Sequence, residues 1–315
     1  MPSFEATTCD MVLADGRRWA IAGGDEQAIS ILSHFVAAMK LGSIGPLAPL
    51  PRLRLRTVRA TELPGDTAVR RLLVSVDGCN PQTSPSAPYR LLPSGEDGFF
   101  VCYLRPYDNS DGLCIQLMHL SLLIVRDAQT RGGMLLHGAL AERESAGIIL
   151  AAGGGTGKTT ASGRLPFPWR SLCDDMTLVV RDSQGKYWAH PWPTWSRFMW
   201  GGPGGSWDVQ HAVPLKGIFF LDRAEEDRVE PVGQGEAVSL LVGYAQEASV
   251  LMTRRLGREE KRSVHLEWFA NICDLVQVIP TYLLHLSLTG AFWQEIEQTL
   301  QLGAPLIRDE EYSFD

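Results

Sequence analysis

One stretch constrains this chain more than any other: AGIILAAGGGTGKTT, residues 146–160. The apolar run reads as a buried strand, the glycines deny it continuation, and Gly-Lys-Thr-Thr opens a short helix. Ala152 to Thr159 fit the phosphate-loop pattern, Ala or Gly, four residues, then Gly-Lys-Thr. In such a loop the backbone N–H groups of Gly153, Gly154, Gly155, Thr156, Gly157, Lys158, Thr159 and Thr160 face phosphate oxygens, and glycine permits conformations that a Cβ obstructs. Lys158 is placed to reach the outer phosphates and the Thr159 hydroxyl to join a Mg2+ shell, so ATP and Mg2+ are the expected ligands. A glycine-rich turn with an incidental lysine is the bland alternative, and it leaves the order of strand, loop and helix to coincidence. The stretch indicates a nucleotide and is silent about the fate of its phosphate.

Bulk properties narrow the remaining choices. The net charge of -7, with arginines and acids scattered in small groups, supplies no basic stripe, so nucleic acid is excluded as an expected partner. The N-terminus MPSFEATTCD lacks a basic-then-apolar targeting pattern, and no apolar run reaches the length of about 18 residues that spans a bilayer. No membrane partner is expected, and a cytoplasmic location is. The six cysteines lie far apart with no CxxC, as expected of buried free thiols rather than a zinc site.

The chain divides into an expected small N-terminal α/β domain, residues 1–112, and a larger domain, residues 113–315. MVLADGRRWAIAGG reads as a hairpin about Asp15-Gly16, DEQAISILSHFVAAMKLG as a helix closed by Gly42, and PLAPLPRLRLRTVRA and RRLLVSVDG as strands. NPQTSPSAPYRLLPSGEDG reads as a loop, and the strand pattern resumes at Phe99 to Arg105. LCIQLMHLSLLIVRDAQTRGG is apolar at helical spacing and opens the second domain. MLLHGALAERE and AGIILAA then read as strands before the glycine loop, and VIPTYLLHLSLTGAFWQEIEQTL as a strand and an amphipathic helix.

Phosphoryl transfer needs an acid near the metal and, in a kinase, a carboxylate to accept the proton of the attacking hydroxyl. SLCDDMTLVV offers Asp174 and Asp175, and KGIFFLDRAEED offers Asp222 after four apolar residues. Asp222 is the better generic match and is the choice of a plain ATPase, but the following RAEED reads as a solvated turn between strands. The adjacent pair suits one metal contact and one base, because neighbouring carboxylates raise each other's pKa unless a cation offsets them. A turn or helix cap is its ordinary alternative.

LLHGALAE, AAGGGTGKTT and LCDDMTLVV resemble, in order and spacing, the active-site segments of the HPr kinase/phosphorylase family. His137 lies 21 residues before Lys158 and Asp175 lies 17 after it. The resemblance runs over roughly residues 117 to 300 and is specific in those three segments. It implies a PEP-carboxykinase-like P-loop kinase core of the HPr kinase C-terminal type, with Asp175 as general base, His137 beside the transferred phosphate and Thr159 as a metal ligand. Two departures stand out: the family's glutamate-containing metal motif and its Arg-Asn-Ala segment are missing, which leaves Asp174 as the local candidate for a second metal ligand. WRSLCDDMTLVVRDSQGKYWAHPWPTWSRF, GGSWDVQ and VPLKGIFFLDRAEE are also similar to the HPr-kinase-like component of the SynChlorMet radical-SAM peptide cassette. Related lasso-peptide kinases phosphorylate precursor peptides, so the resemblance implies a kinase acting on a Ser or Thr hydroxyl of a precursor peptide or small protein. It also implies peptide-modifying radical-SAM enzymes as partners and homo-oligomeric assembly. A nucleotide-dependent module that delivers a peptide without phosphorylating it is the competing class.

YWAHPWPTWSRFMWGGPGGSW carries Trp188, Trp192, Trp195, Trp200 and Trp207 with Arg197 among them. Such a surface suits a peptide, and a domain core or subunit interface explains the rings equally well. Arg254 and Arg255 are candidate transition-state cations, with an exposed helix face as the plainer reading.

Overall fold

The computed structural model describes residues 8–42, 52–57, 99–104, 106–254 and 256–303 of the 315. The expected strand at 70–78 and the loop at 80–98 lie outside the described residues, as does Arg255.

Strands β1 (Thr8–Val12) and β2 (Arg18–Gly23) form an antiparallel hairpin that turns through Gly16 at φ 80, a left-handed value that favours glycine. β2, β3 (Arg52–Thr57) and β4 (Phe99–Leu104) continue in parallel, giving the order β1-β2-β3-β4. Helix α1 (Glu26–Met39) begins where the Asp25 carboxylate accepts the Ala28 N–H at 2.9 Å, a cap that contributes about 1 kcal/mol, and it buries Ile31, Leu32, Phe35 and Met39. Its end differs from expectation. Lys40, not Gly42, takes the left-handed position at φ 50, because the carbonyls of Val36 and Ala37 need amide donors immediately after the last turn and Gly42 comes too late to supply them.

Helix α2 (Ser110–Gln129), capped by the Asn109 side chain on the Gly112 N–H at 2.8 Å, leads into a sheet of eight strands. These are β5 (Met134–Arg143), β6 (Ala146–Ala151), β7 (Arg170–Cys173), β8 (Met176–Arg181), β9 (Tyr187–Trp192), β10 (Val213–Arg223), β11 (Arg228–Pro231) and β12 (Thr281–Leu286). The order is β11-β12-β10-β6-β5-β8-β9, with β7 beside β5 and a further pairing of β9 with β10. β10 runs parallel to β6 and β12, and the other pairings are antiparallel, so the sheet is mixed and the architecture mixed α/β.

The central strand β6 is buried on both faces, which is why its sequence is continuously apolar. Ile149 and Ala151 join a core that also takes in Trp19, Phe35, Leu120 and Trp192 and so spans both sheets. Ile148 and Leu150 face a second core with Ala161, Trp169, Phe219 and Phe292, under α3 (Lys158–Arg164) and α7 (Phe292–Leu300). Buried His190 joins the N-terminal hairpin to the larger sheet: its Nδ1 lies 2.6 Å from the Val209 carbonyl and its Nε2 accepts the Ala14 N–H at 3.1 Å. Burial pushes its pKa down to about 4, which keeps the ring neutral so that Nδ1–H donates and Nε2 accepts.

The remaining helices are α4 (Gln234–Ala248), the short α5 (Val250–Thr253) and α6 (Arg258–Val278). Arg254 is exposed just past α5, short of the continuous helix face expected there. Among the described residues no helix is long and apolar enough to cross a membrane. Cys9, Cys114 and Cys173 are buried free thiols and Cys273 is free and half-buried.

Candidate functional site

The register of the sheet explains how residues distant in sequence meet. Ala151 at the end of β6 pairs with Gly138 of β5 on one side and with Phe220 of β10 on the other, and His137 pairs with Met176 at the start of β8. The glycine loop therefore leaves the sheet edge between His137 and Asp175 on one flank and Asp222 and Arg223 on the other. Gly155 and Gly157 sit at φ 76 and 113, and a Cβ added at Gly154, Gly155 or Gly157 would meet open space. At Gly155 and Gly157 glycine is required by backbone conformation, not by crowding.

Lys158 at the start of α3 is buried, and its ammonium donates to the carbonyls of Ala152 at 2.8 Å and Gly153 at 3.3 Å. Burial lowers its pKa, and the negative charges of Asp175, Glu247 and Asp174 oppose that fall. Thr159 is exposed, with its hydroxyl 3.4 Å from Asp174 Oδ2; Thr160 beside it is exposed too.

Asp174 and Asp175 occupy the bend between β7 and β8, so they end a strand and make a turn at once. Their partners differ. Asp174 Oδ2 faces Thr159 and lies 3.3 Å from Arg197 Nη2, whereas Asp175 Oδ1 lies 2.8 Å from His137 Nε2. The other ring nitrogen of His137, Nδ1, is 2.7 Å from Glu247 Oε2 near the end of α4. A ring placed between two carboxylates favours the imidazolium: the hydrogen bond to Asp175 raises its pKa, burial opposes, and the bond to Glu247 adds to the rise. For Asp175, burial pushes the carboxyl up but is outweighed by the His137 hydrogen bond and the charges of His137, Lys158 and Arg197, so it sits below the usual carboxylate range.

Four of the expected residues, His137, Lys158, Asp174 and Asp175, thus gather at one end of the glycine loop with Thr159. Asp222 does not join them. It faces the β12 side, 3.1 Å from His285 Nδ1, and the turn 224–227 after it separates β10 from β11 as the RAEED pattern indicated. The aromatic segment is mostly core: Trp192, Trp195 and Trp207 are buried, and Trp188 is half-buried under Lys186. Trp200 alone of the five is fully presented, 83 % exposed and at φ 53, within the segment Trp195–Gly201 that also carries Arg197 to Asp174.

Two residues of the site were not legible in the sequence. Glu247 sits in QEASVLM, which matches no motif, and only the packing of α4 on β5 brings it to His137. Arg223 follows Asp222 and donates to the carbonyls of Gly155 at 2.7 Å and Thr156 at 3.3 Å. The one signal the sequence carries for it is its place directly after Asp222, at the end of an apolar run.

The oxygen donors fit a hard divalent cation. Two ligands of an octahedral Mg2+ lie about 3 Å apart, close to the spacing of Thr159 Oγ1 and Asp174 Oδ2. Among the described residues no group of three or more His, Cys, Asp or Glu side chains is disposed to hold a metal ion.

No curated protein matches the chain. The sequence model of the family described as SynChlorMet cassette protein ScmC matches residues 100–301, a segment that begins in β4 and contains the whole glycine-loop site and its supporting sheet. With more than half of its length matched, this chain belongs to the SynChlorMet cassette protein ScmC family.

Proposed function

We propose that this protein is an ATP-dependent kinase that transfers the γ-phosphoryl group to a Ser or Thr hydroxyl of a peptide or small protein, on a P-loop kinase core like that of the HPr kinases. Membership of a cassette family makes another cassette product, and a ribosomally made precursor peptide in particular, the acceptor of choice, with the modifying enzymes of the cassette as partners. The observation that carries the reading is the carboxylate of Asp175, held by His137 at the mouth of the glycine loop and coupled to the charge of Lys158.

Each residue has a definable task. The loop amides and Lys158 bind and orient the phosphate chain, with Lys158 exchanging its backbone carbonyls for phosphate oxygens. Thr159 and Asp174 would hold Mg2+, which when bound neutralises charge on the outer phosphates. Asp175 accepts the proton of the attacking hydroxyl. Its low basicity is compatible with this task, because phosphoryl transfer is loose and calls for little deprotonation of the nucleophile before bond formation is advanced. His137 fixes the carboxylate's orientation and Glu247 fixes the ring.

Mass spectrometry of the cassette's candidate peptide after incubation with ATP and Mg2+ tests the reading. A phosphate-sized mass gain with the native protein, absent with Lys158→Ala, is the expected result. ATP binding without any mass gain would favour a nucleotide-dependent delivery module instead.

A further inference from the structure

Arg223 has no part in the reading above, yet its guanidinium meets the glycine loop from outside. Nη2 donates to the Gly155 carbonyl at 2.7 Å and Nε to the Thr156 carbonyl at 3.3 Å. A trans peptide unit points its C=O and its following N–H in opposite directions. Holding the carbonyls of Gly155 and Thr156 outward therefore aims the N–H groups of Thr156 and Gly157 toward the inner side of the loop. The Thr156 N–H makes only a long 3.4 Å contact to the Gly153 carbonyl, a bond easily exchanged for a phosphate oxygen.

The loop needs such a clamp. Gly155 and Gly157 adopt φ 76 and 113 with no side chain to favour those values, and glycine loses more freedom on ordering than any other residue. Lys158 holds the carbonyls of Ala152 and Gly153, but it must leave them to reach phosphate. Arg223 holds those of Gly155 and Thr156 from the end of β10, an element whose parallel register with β6, Phe220 opposite Ala151, places position 223 beside the loop whether or not ligand is bound.

We propose that Arg223 is a positioning residue that pre-sets the amides of Thr156 and Gly157 for the polyphosphate of a nucleoside triphosphate. The inference rests on reading the loop as a triphosphate site. It assigns Arg223 to the phosphates and to no part of the nucleoside, so its removal weakens a bare polyphosphate as much as it weakens ATP.

The test is titration of ATP and of inorganic tripolyphosphate, each with Mg2+, into the full-length protein and its variants by calorimetry. Arg223→Ala is expected to raise Kd about tenfold for both ligands by the same factor, the loss of one charge-assisted contact. Arg223→Lys, a single ammonium that cannot bridge two carbonyls, recovers only part of it. In turnover the KM for ATP rises while kcat stays within about threefold, the split expected when ligand binding and the transition state lose the contact alike. Arg223 is exposed, so ligand-free melting of both variants is expected to match the native protein, and a purely structural role would move it. Equal Kd in native protein and Arg223→Ala overturns the inference, as does a loss confined to ATP. If the native protein binds neither ATP nor tripolyphosphate, it is the reading of the loop itself that fails, and the role of Arg223 falls with it.

Discussion

Two histidine–aspartate pairs flank the glycine loop along the same sheet edge. His137 and Asp175 meet at 2.8 Å on the β5–β8 side, and His285 and Asp222 at 3.1 Å on the β10–β12 side. By residue type they are alike, and their surroundings separate them. The first pair feels the charges of Lys158 and Arg197 and is closed by Glu247, so its aspartate is inside the electrostatic reach of the loop. The second is engaged with Arg228, 3.2 Å from His285 Nε2, and with Glu230, on the outer strands of the sheet. Residue identity therefore does not make a site here; what separates the pairs is that the charges of Lys158 and Arg197, at the loop, reach the first.

The largest effect should come from breaking the first pair. Asp175→Asn keeps the shape and removes the proposed base, and phosphoryl transfer is expected to fall about a thousandfold while ATP affinity changes little. Equal turnover in that variant would erase the distinction between the pairs. A middle effect is expected at Glu247. Glu247→Gln removes one of the two carboxylates that keep His137 charged. A histidine whose folded pKa is raised contributes stability that is fully present below its unfolded value near 6.5 and is lost as pH rises through the folded pKa. Native protein should therefore melt above Glu247→Gln near pH 6, and the gap should close as pH rises through the raised pKa of His137; a gap independent of pH would show that the ring is not charged in the fold. The smallest effect belongs to the second pair. Asp222 is more than half exposed, and Asp222→Asn should alter transfer by less than about threefold and stability by under about 1 kcal/mol. If Asp222→Asn alone stopped ATP turnover without any acceptor, the two pairs would exchange roles and the plain ATPase would replace the kinase.

Much of the architecture was readable in advance for physical reasons. The hairpin at Asp15-Gly16, the helix before Lys40, the helix from Ser110 and the strand–loop–helix at Lys158 each rest on local periodicity, capping or glycine conformation, which act over a few residues. The helix end at Gly42 was misplaced by two residues because the need of the last carbonyls for donors overrode the preference of glycine. The aromatic segment was ambiguous because a tryptophan that fills a core and one that meets a partner look the same in sequence; Trp192 is buried and Trp200 is exposed.

By itself, the sequence determined the strand, glycine loop and helix around residues 146–164, since the needed backbone geometry is written locally in the apolar run, the glycines and the helix start at Lys158. Which of Asp175 and Asp222 meets the cations beside the loop was decided by the tertiary structure. Both aspartates end short apolar runs, and only the order of strands in the sheet sets one of them within hydrogen-bond range of a histidine that a glutamate 110 residues away keeps charged. Electrostatic coupling falls off over a few ångströms of space, not over distance along the chain, so a pattern read in one dimension has no measure of it.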